Sequence, residues 1–153
     1  SYLSKQGING AIFTLIALDS HNYTPAGDVT RDKLVQAILD AQISSDGGWS
    51  LDGKNADVDM TAMALASLAP YQEETDVKAA VDTALTYLSD AQQADGGFMS
   101  WGAANSESCA QVIVALTALG IDPAADSRFV KNGASPLDGL CAFALFVGSV
   151  RCV

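Results

Sequence analysis

Histidine is almost missing from this sequence: His21 is the only one in 153 residues. A zinc enzyme needs three protein ligands and an open coordination position. One histidine in a loop does not supply them, so no metal site is expected. Basic residues are also scarce. Eight Lys and Arg stand against eighteen Asp and Glu, a net charge of −10. Nucleic acid and anionic membrane surfaces are therefore not expected partners, because both require clustered Lys and Arg. The longest apolar run, Leu140 to Val147, falls far short of the ~20 residues of a spanning helix, so no membrane insertion is expected. The three cysteines, Cys109, Cys141 and Cys152, are odd in number and widely spaced, which excludes a disulfide framework. Cys109 and Cys141 sit in apolar helical runs and read as small buried hydrophobes, with a bridge between them left open. No segment alternates apolar and polar residues with β-branched enrichment, so no strands are expected. No leader pattern opens the chain at Ser1; removal of a signal, or a cut from a longer protein, would account for that.

What is present is apolar bulk, a repeat and paired glycines. Nearly half the residues, 49%, are apolar, enough for one folded domain with a sizeable core. Leu39-Asp40-Ala41-Gln42 runs into Asp46-Gly47-Gly48-Trp49, and Leu88-Ser89-Asp90-Ala91-Gln92 runs into Asp95-Gly96-Gly97-Phe98. The two Asp-Gly-Gly-aromatic turns lie 49 positions apart, and each separates two helices. The helices after them also correspond. Asp59-Met60-Thr61-Ala62 matches Glu107-Ser108-Cys109-Ala110, and Asn9-Gly10-Ala11-Ile12 begins a third copy. The unit is therefore about 50 residues and two helices.

Those two helices differ in kind. Val77, Ala80, Val81, Ala84, Leu85 and Leu88 form one apolar stripe, with Lys78, Asp82, Thr86 and Asp90 off it; Leu34, Val35, Ile38 and Leu39 repeat the stripe. By contrast Ala11–Leu18, Met60–Leu68 and Cys109–Leu119 are apolar nearly all round, the pattern of helices buried on every side. Alternation of the two kinds gives an inner layer wrapped by an outer one. Thr30, Thr75 and Ser135 are expected N-caps, Pro136 fits a first helical position, and Pro70 and Gly120 close inner helices. About six helices result, near 3–19, 30–43, 58–69, 75–92, 106–119 and 135–147.

The segment Tyr87-Leu88 to Gln92, Gly96 and Phe98 resembles the Gln-Trp repeat of terpene cyclases, with Phe for Trp; the copy from Gln42 to Trp49 keeps the Trp. Asp57-Val58-Asp59-Met60-Thr61-Ala62-Met63 looks like the inner-helix start shared by squalene and diterpene cyclases, prenyltransferase β-subunits and cobalamin carriers. The chain from Gly7 to Gly133 is similar to prenyltransferase/squalene-oxidase-repeat proteins secreted by Gram-positive bacteria. The resemblance implies an all-α fold, an α/α toroid of helical hairpins. Residues 1–153 would form a single partial domain of about three hairpins, half of a closed ring. A third Asp-Gly-Gly-aromatic turn is expected after Leu140–Phe146, and the ending Phe146 to Val153 departs from it. An open half-ring would expose apolar inner faces, so self-association or a missing toroid half is an expected partner.

Site by site, the resemblance implies little catalysis. Class II cyclases protonate an alkene with Asp-x-Asp-Asp, and Asp57-Val58-Asp59-Met60 lacks the last carboxylate. Two Trp, four Tyr and five Phe are a thin lining for carbocations. Asp57 instead fits a helix cap and Asp59 the first turn, where the macrodipole favours acids. Glu107 and Cys109 resemble the spacing of prenyltransferase zinc ligands, but no later histidine completes them; His21 reads as a solvated loop residue. Cys109-Ala110-Gln111 lacks the setting of a complement-type thioester, and the glycine pairs read as turns, not phosphate loops. Gln42 and Gln92 are expected to satisfy orphan N–H groups at a neighbouring helix start while Trp49 or Phe98 packs beside them. At one mouth of the ring, Asp57, Asp59, Asn105, Glu107 and Gln111 would offer acceptors and amides to a ligand. The sum is a non-catalytic scaffold or ligand-binding module of a secreted or cell-surface protein with no cofactor. A degenerate or partial terpene cyclase or prenyltransferase, and a cobalamin-type carrier, are the alternatives.

Overall fold

A computed structural model describes residues 6–147, with side chains to 144. Six α-helices fill the described residues: α1 Ile8–Asp19, α2 Arg31–Asp40, α3 Val58–Leu68, α4 Thr75–Ala91, α5 Ser106–Ala118 and α6 Pro136–Val147. A hairpin of two-residue strands, β1 Met99–Ser100 and β2 Ala103–Ala104, joins the α4 and α5 units. The protein is thus mostly helical, as its periodicities require.

Packing follows those periodicities. α3 lies against both α1 and α5, while α2 packs on α1, α4 on α3 and α6 on α5. The stripe of α4 is buried as a whole, from Val77 to Leu88, and Leu34, Val35 and Ile38 of α2 do the same. They meet Ile12 and Leu15 of α1, Leu65 and Leu68 of α3, and Val112 and Leu116 of α5 in one core cluster. Only α3 is covered nearly all round. α1 and α5, expected to be equally enclosed, each show an apolar face to solvent: Phe13 is 53% and Val114 56% exposed. The reason is position, since α3 alone has an apolar helix on each side.

Helix ends have identifiable causes. Thr30 caps α2 by accepting from Lys33 N–H at 3.2 Å. Asp57 Oδ1 caps α3 through Met60 N–H, and Asn105 Oδ1 caps α5 through Ser108 N–H. Ser135 and Asp138 bond reciprocally before α6, a capping box. Thr75, expected as a cap, is instead the first helical residue of α4, and Glu74 before it makes no side-chain capping bond. Pro70 sits in a short 3₁₀ turn, Ala69–Tyr71, that ends α3. Helix α1 starts at Ile8 and α2 stops at Asp40, both inside the expected ranges; beyond Asp40 the bonds tighten to i−3 before the glycine turn. Arg31 ties three elements by bonding Asp19 Oδ1 at 2.6 Å, while Tyr71 O–H donates to Asp19 Oδ2. Burial and the Asp19 bond push the Tyr71 hydroxyl up to about 12.

Strands were not expected. The hairpin escapes alternation because each strand has only two residues, and its turn is Trp101-Gly102, both at positive φ (53° and 78°). That is the geometry of a two-residue I′ turn, usually signalled by Asn-Gly. Cys109 is buried and Cys141 exposed, and both are free. Cys141 is therefore not the buried hydrophobe its helical run suggested, and no Cys109–Cys141 bridge exists. Cys152, the expected third turn and the ending from Gly148 lie outside the described residues.

Candidate functional site

The two glycine turns build the floor of the molecule. Each Gln amide donates twice: Gln42 Nε2 to Gly47 O and Ala80 O, and Gln92 Nε2 to Gly96 O and Phe129 O, all between 2.7 and 3.1 Å. The expectation that these amides satisfy N–H groups is thus corrected. They satisfy carbonyls, one from their own turn and one from a distant segment packed against it: Ala80 of α4 for the first turn and Phe129 of the loop before α6 for the second. Trp49 and Phe98 are fully buried, and Trp49 Nε1 donates to Ile38 O at 2.7 Å. Asp46 Oδ2 accepts from Ala56 N–H and Asp95 Oδ1 from Gly97 N–H. Bonds from Ser45 and Ala56 hold the Asp46 carboxyl below its ordinary value.

Above the first turn, the starts of α1 and α3 enclose an open cleft of about 520 Å³ with the Trp101 hairpin and the loop at 50–56. Its apolar wall is Phe13, Leu51, Met60, Met63 and Trp101. Its polar side chains include Asn9, Asp52, Asp57 and Asp59. Among the described residues no Lys, Arg or His lines it. Asp57 is occupied: Oδ1 caps α3 and Oδ2 accepts from Ser100 Oγ at 2.7 Å, which ties the hairpin to α3. Asp52 is occupied within its own loop by Lys54 N–H and Ser50 Oγ, which hold its carboxyl below the ordinary value. Asp59 differs. Its Oδ1 is buried and accepts no hydrogen bond from the described residues, and the same holds for Asn9 Oδ1. Trp101 is 89% exposed at the rim. A bulky side chain at positive φ is uncommon and costs backbone strain.

Of the five residues expected at one mouth, the cleft brings together Asp57 and Asp59 only. Asn105 is spent on its cap, Glu107 is exposed with its Oε2 accepting from Ser106 Oγ, and neither they nor Gln111 line the cleft. Asn9, Phe13 and Trp101 were missed. The repeat itself held the clue to two of them. Asn9 and Phe13 occupy in α1 the positions of Asp59 and Met63 in α3, because Asn9-Gly10-Ala11-Ile12-Phe13 aligns with Asp59-Met60-Thr61-Ala62-Met63.

Elsewhere the chemistry is quiet. Among the described residues no three His, Cys, Asp or Glu side chains stand together as metal ligands. Burial pushes the Cys109 thiol up, away from the thiolate that metal binding or nucleophilic attack requires. His21 is exposed against Tyr23. No helix among the described residues is long and apolar enough to cross a membrane. A larger groove of about 760 Å³ runs along α1 past Thr14 and Tyr23, but no charged side chain among the described residues lines it. Comparison with protein-family models, curated proteins and solved structures gives no match.

Proposed function

We propose that the chain is a segment of an α/α toroid, an incomplete ring of hairpins, and that it serves as a non-catalytic ligand-binding module of a secreted or cell-surface bacterial protein. The order α1–α3–α5, each with its outer partner, supports the ring. The resemblance to secreted repeat proteins supports the location. The observation that carries the function is the cleft between α1 and α3, where an apolar wall meets Asn9 and Asp59, each of which keeps one buried oxygen without a donor among the described residues. Such a mixture is the usual make-up of a small-molecule site. Catalysis is disfavoured on a specific ground: both oxygens of Asp57 are engaged in holding α3 and the hairpin, and Met60 stands where a cyclase would need a further acid.

The test is amide and side-chain chemical-shift mapping with a soluble fragment library. Hits should cluster on Asn9, Asp59, Met63 and the Trp101 indole. Hits scattered over the outer helices, or confined to the groove along α1, would end the proposal.

A further inference from the structure

Resting on the ligand-binding proposal above, we propose that the cleft takes an organic cation: a protonated amine carried on a compact apolar body. The charged groups of the cleft are all of one sign. Asp52, Asp57 and Asp59 line it, and among the described residues no Lys, Arg or His does. Asp57 is used at both oxygens, by Met60 N–H and by Ser100, and Asp52 is tied into its own loop through Oδ1, which takes Ser50 and Lys54 N–H. Asp59 keeps an oxygen with no donor, and Asn9 of α1 keeps a second. Buried acceptors without donors are costly, and a group that supplies N–H donors recovers that cost. An ammonium brings up to three donors and a charge opposite to that of Asp59. An anion would meet three carboxylates and no cationic side chain among the described lining residues. A neutral apolar molecule would leave both acceptors unpaired.

The apolar wall points the same way. Trp101 is the most exposed large apolar side chain among the described residues, at 89%. It is held at the rim by a turn of two positive-φ residues and by the bond from Ser100 to Asp57. An indole face is the best aromatic partner for a cation. Phe13, half exposed on the opposite helix, and Met63 provide the surface for the apolar body. Asp57 is in this scheme a positioning residue: one carboxylate fixes the start of α3, which carries Asp59, and the hairpin, which carries Trp101.

The experiment compares three probes of one shape by calorimetry and by indole fluorescence: 2-phenylethylammonium, 2-phenylethanol and phenylacetate. Trp49 is fully buried, so a fluorescence change on binding reports Trp101. The ammonium should bind about tenfold or more tighter than the alcohol, with phenylacetate weakest, and added salt should narrow the gap. Asp59→Asn should erase the preference for the ammonium over the alcohol. Trp101→Ala, at an exposed site whose loss leaves the core intact, should weaken the ammonium about tenfold. Equal binding of ammonium and alcohol, or a preference for the anion, overturns the cation assignment and leaves the ligand-binding cleft standing. A preference that survives Asp59→Asn also overturns it, since the overall negative charge would then explain the result. No binding of any probe, together with no fragment hits in the cleft, sinks both proposals.

Discussion

The turn at Gln42–Trp49 and the turn at Gln92–Phe98 begin from nearly the same residues and are tied down differently. Both use a glutamine amide to gather two carbonyls, and both place a glycine at positive φ, Gly47 at 79° and Gly96 at 83°. The first turn rests on a helix. Gln42 reaches Ala80 O of α4, and a Cβ on Gly47 would meet the Thr83 methyl. The second rests on backbone outside a helix. Gln92 reaches Phe129 O in the loop between α5 and α6, and a Cβ on Gly96 would strike the Ser135 carbonyl. Gly139 of α6 packs so closely on the same turn that its own Cβ would lie 2.6 Å from the Gly97 backbone. Beyond the turns the difference grows: after Trp49 the chain makes an irregular loop, and after Phe98 it makes the hairpin that displays Trp101. A sequence motif fixes the local bend; what lies beneath it fixes how much change it tolerates.

The largest contrast is expected at the glycines. Gly96→Ala combines left-handed strain with a collision against backbone, and should cost about 2–4 kcal/mol in chemical denaturation. Gly47→Ala should cost less, because the nearest obstacle is one side-chain methyl and the Thr83 carbonyl oxygen stands back at 3.2 Å. Adding Thr83→Ser, which removes that methyl, should recover part of the loss. If Gly47→Ala is as damaging as Gly96→Ala and Thr83→Ser gives no recovery, the turns are equivalent and the contrast fails.

A smaller effect separates the aromatics. Trp49→Phe keeps an aromatic ring but loses the pyrrole part of the indole and the N–H that donates to Ile38 O, which then keeps only Ala41 N–H, at about 1–3 kcal/mol. Phe98 has no polar handle, so nothing comparable is lost there. A Trp49→Phe protein with an unchanged denaturation midpoint would show that the indole N–H bond contributes nothing net.

The smallest effect is a dependence on acid confined to the second turn's support. Asp126 bonds Arg128 at 2.8 Å beside Phe129, whose carbonyl receives Gln92. The Arg128 guanidinium, with the Arg128 N–H, holds the Asp126 carboxyl down at about 2. A carboxyl depressed in the folded state stabilises it above the unfolded value near 4, and that contribution disappears as pH falls from about 4 to about 2. For so exposed a pair the amount is under about 1 kcal/mol. Asp126→Asn should flatten the stability curve across that window in thermal melts; an unaltered slope would discard this contribution.

Much of the helical plan was legible in the chain itself. Periodicity placed the buried stripe of α4 residue by residue, and the caps at Thr30, Asp57 and Ser135 followed from side chains that can reach their own helix start. Thr75 failed because a threonine one position inside a helix is chemically identical to one at its cap. The cleft was legible in part. Asp57 and Asp59 stood out as acids, but Asn9 and Phe13 needed the third repeat copy to be read as a site and not only as a helix. Trp101 needed a hairpin too short to have a pattern.

Local rules acting over one or two helical turns thus determined much from sequence alone: which residues are helical, which stripe of α2 and α4 is buried and where the two glycine turns fall. Only the tertiary structure decided that Gln42 and Gln92 bond carbonyls, that Asp57 joins α3 to a hairpin more than forty residues away, and that Asn9 and Asp59 share an opening. Those outcomes depend on which distant backbone groups packing brings within 3 Å, and sequence spacing carries no record of that distance.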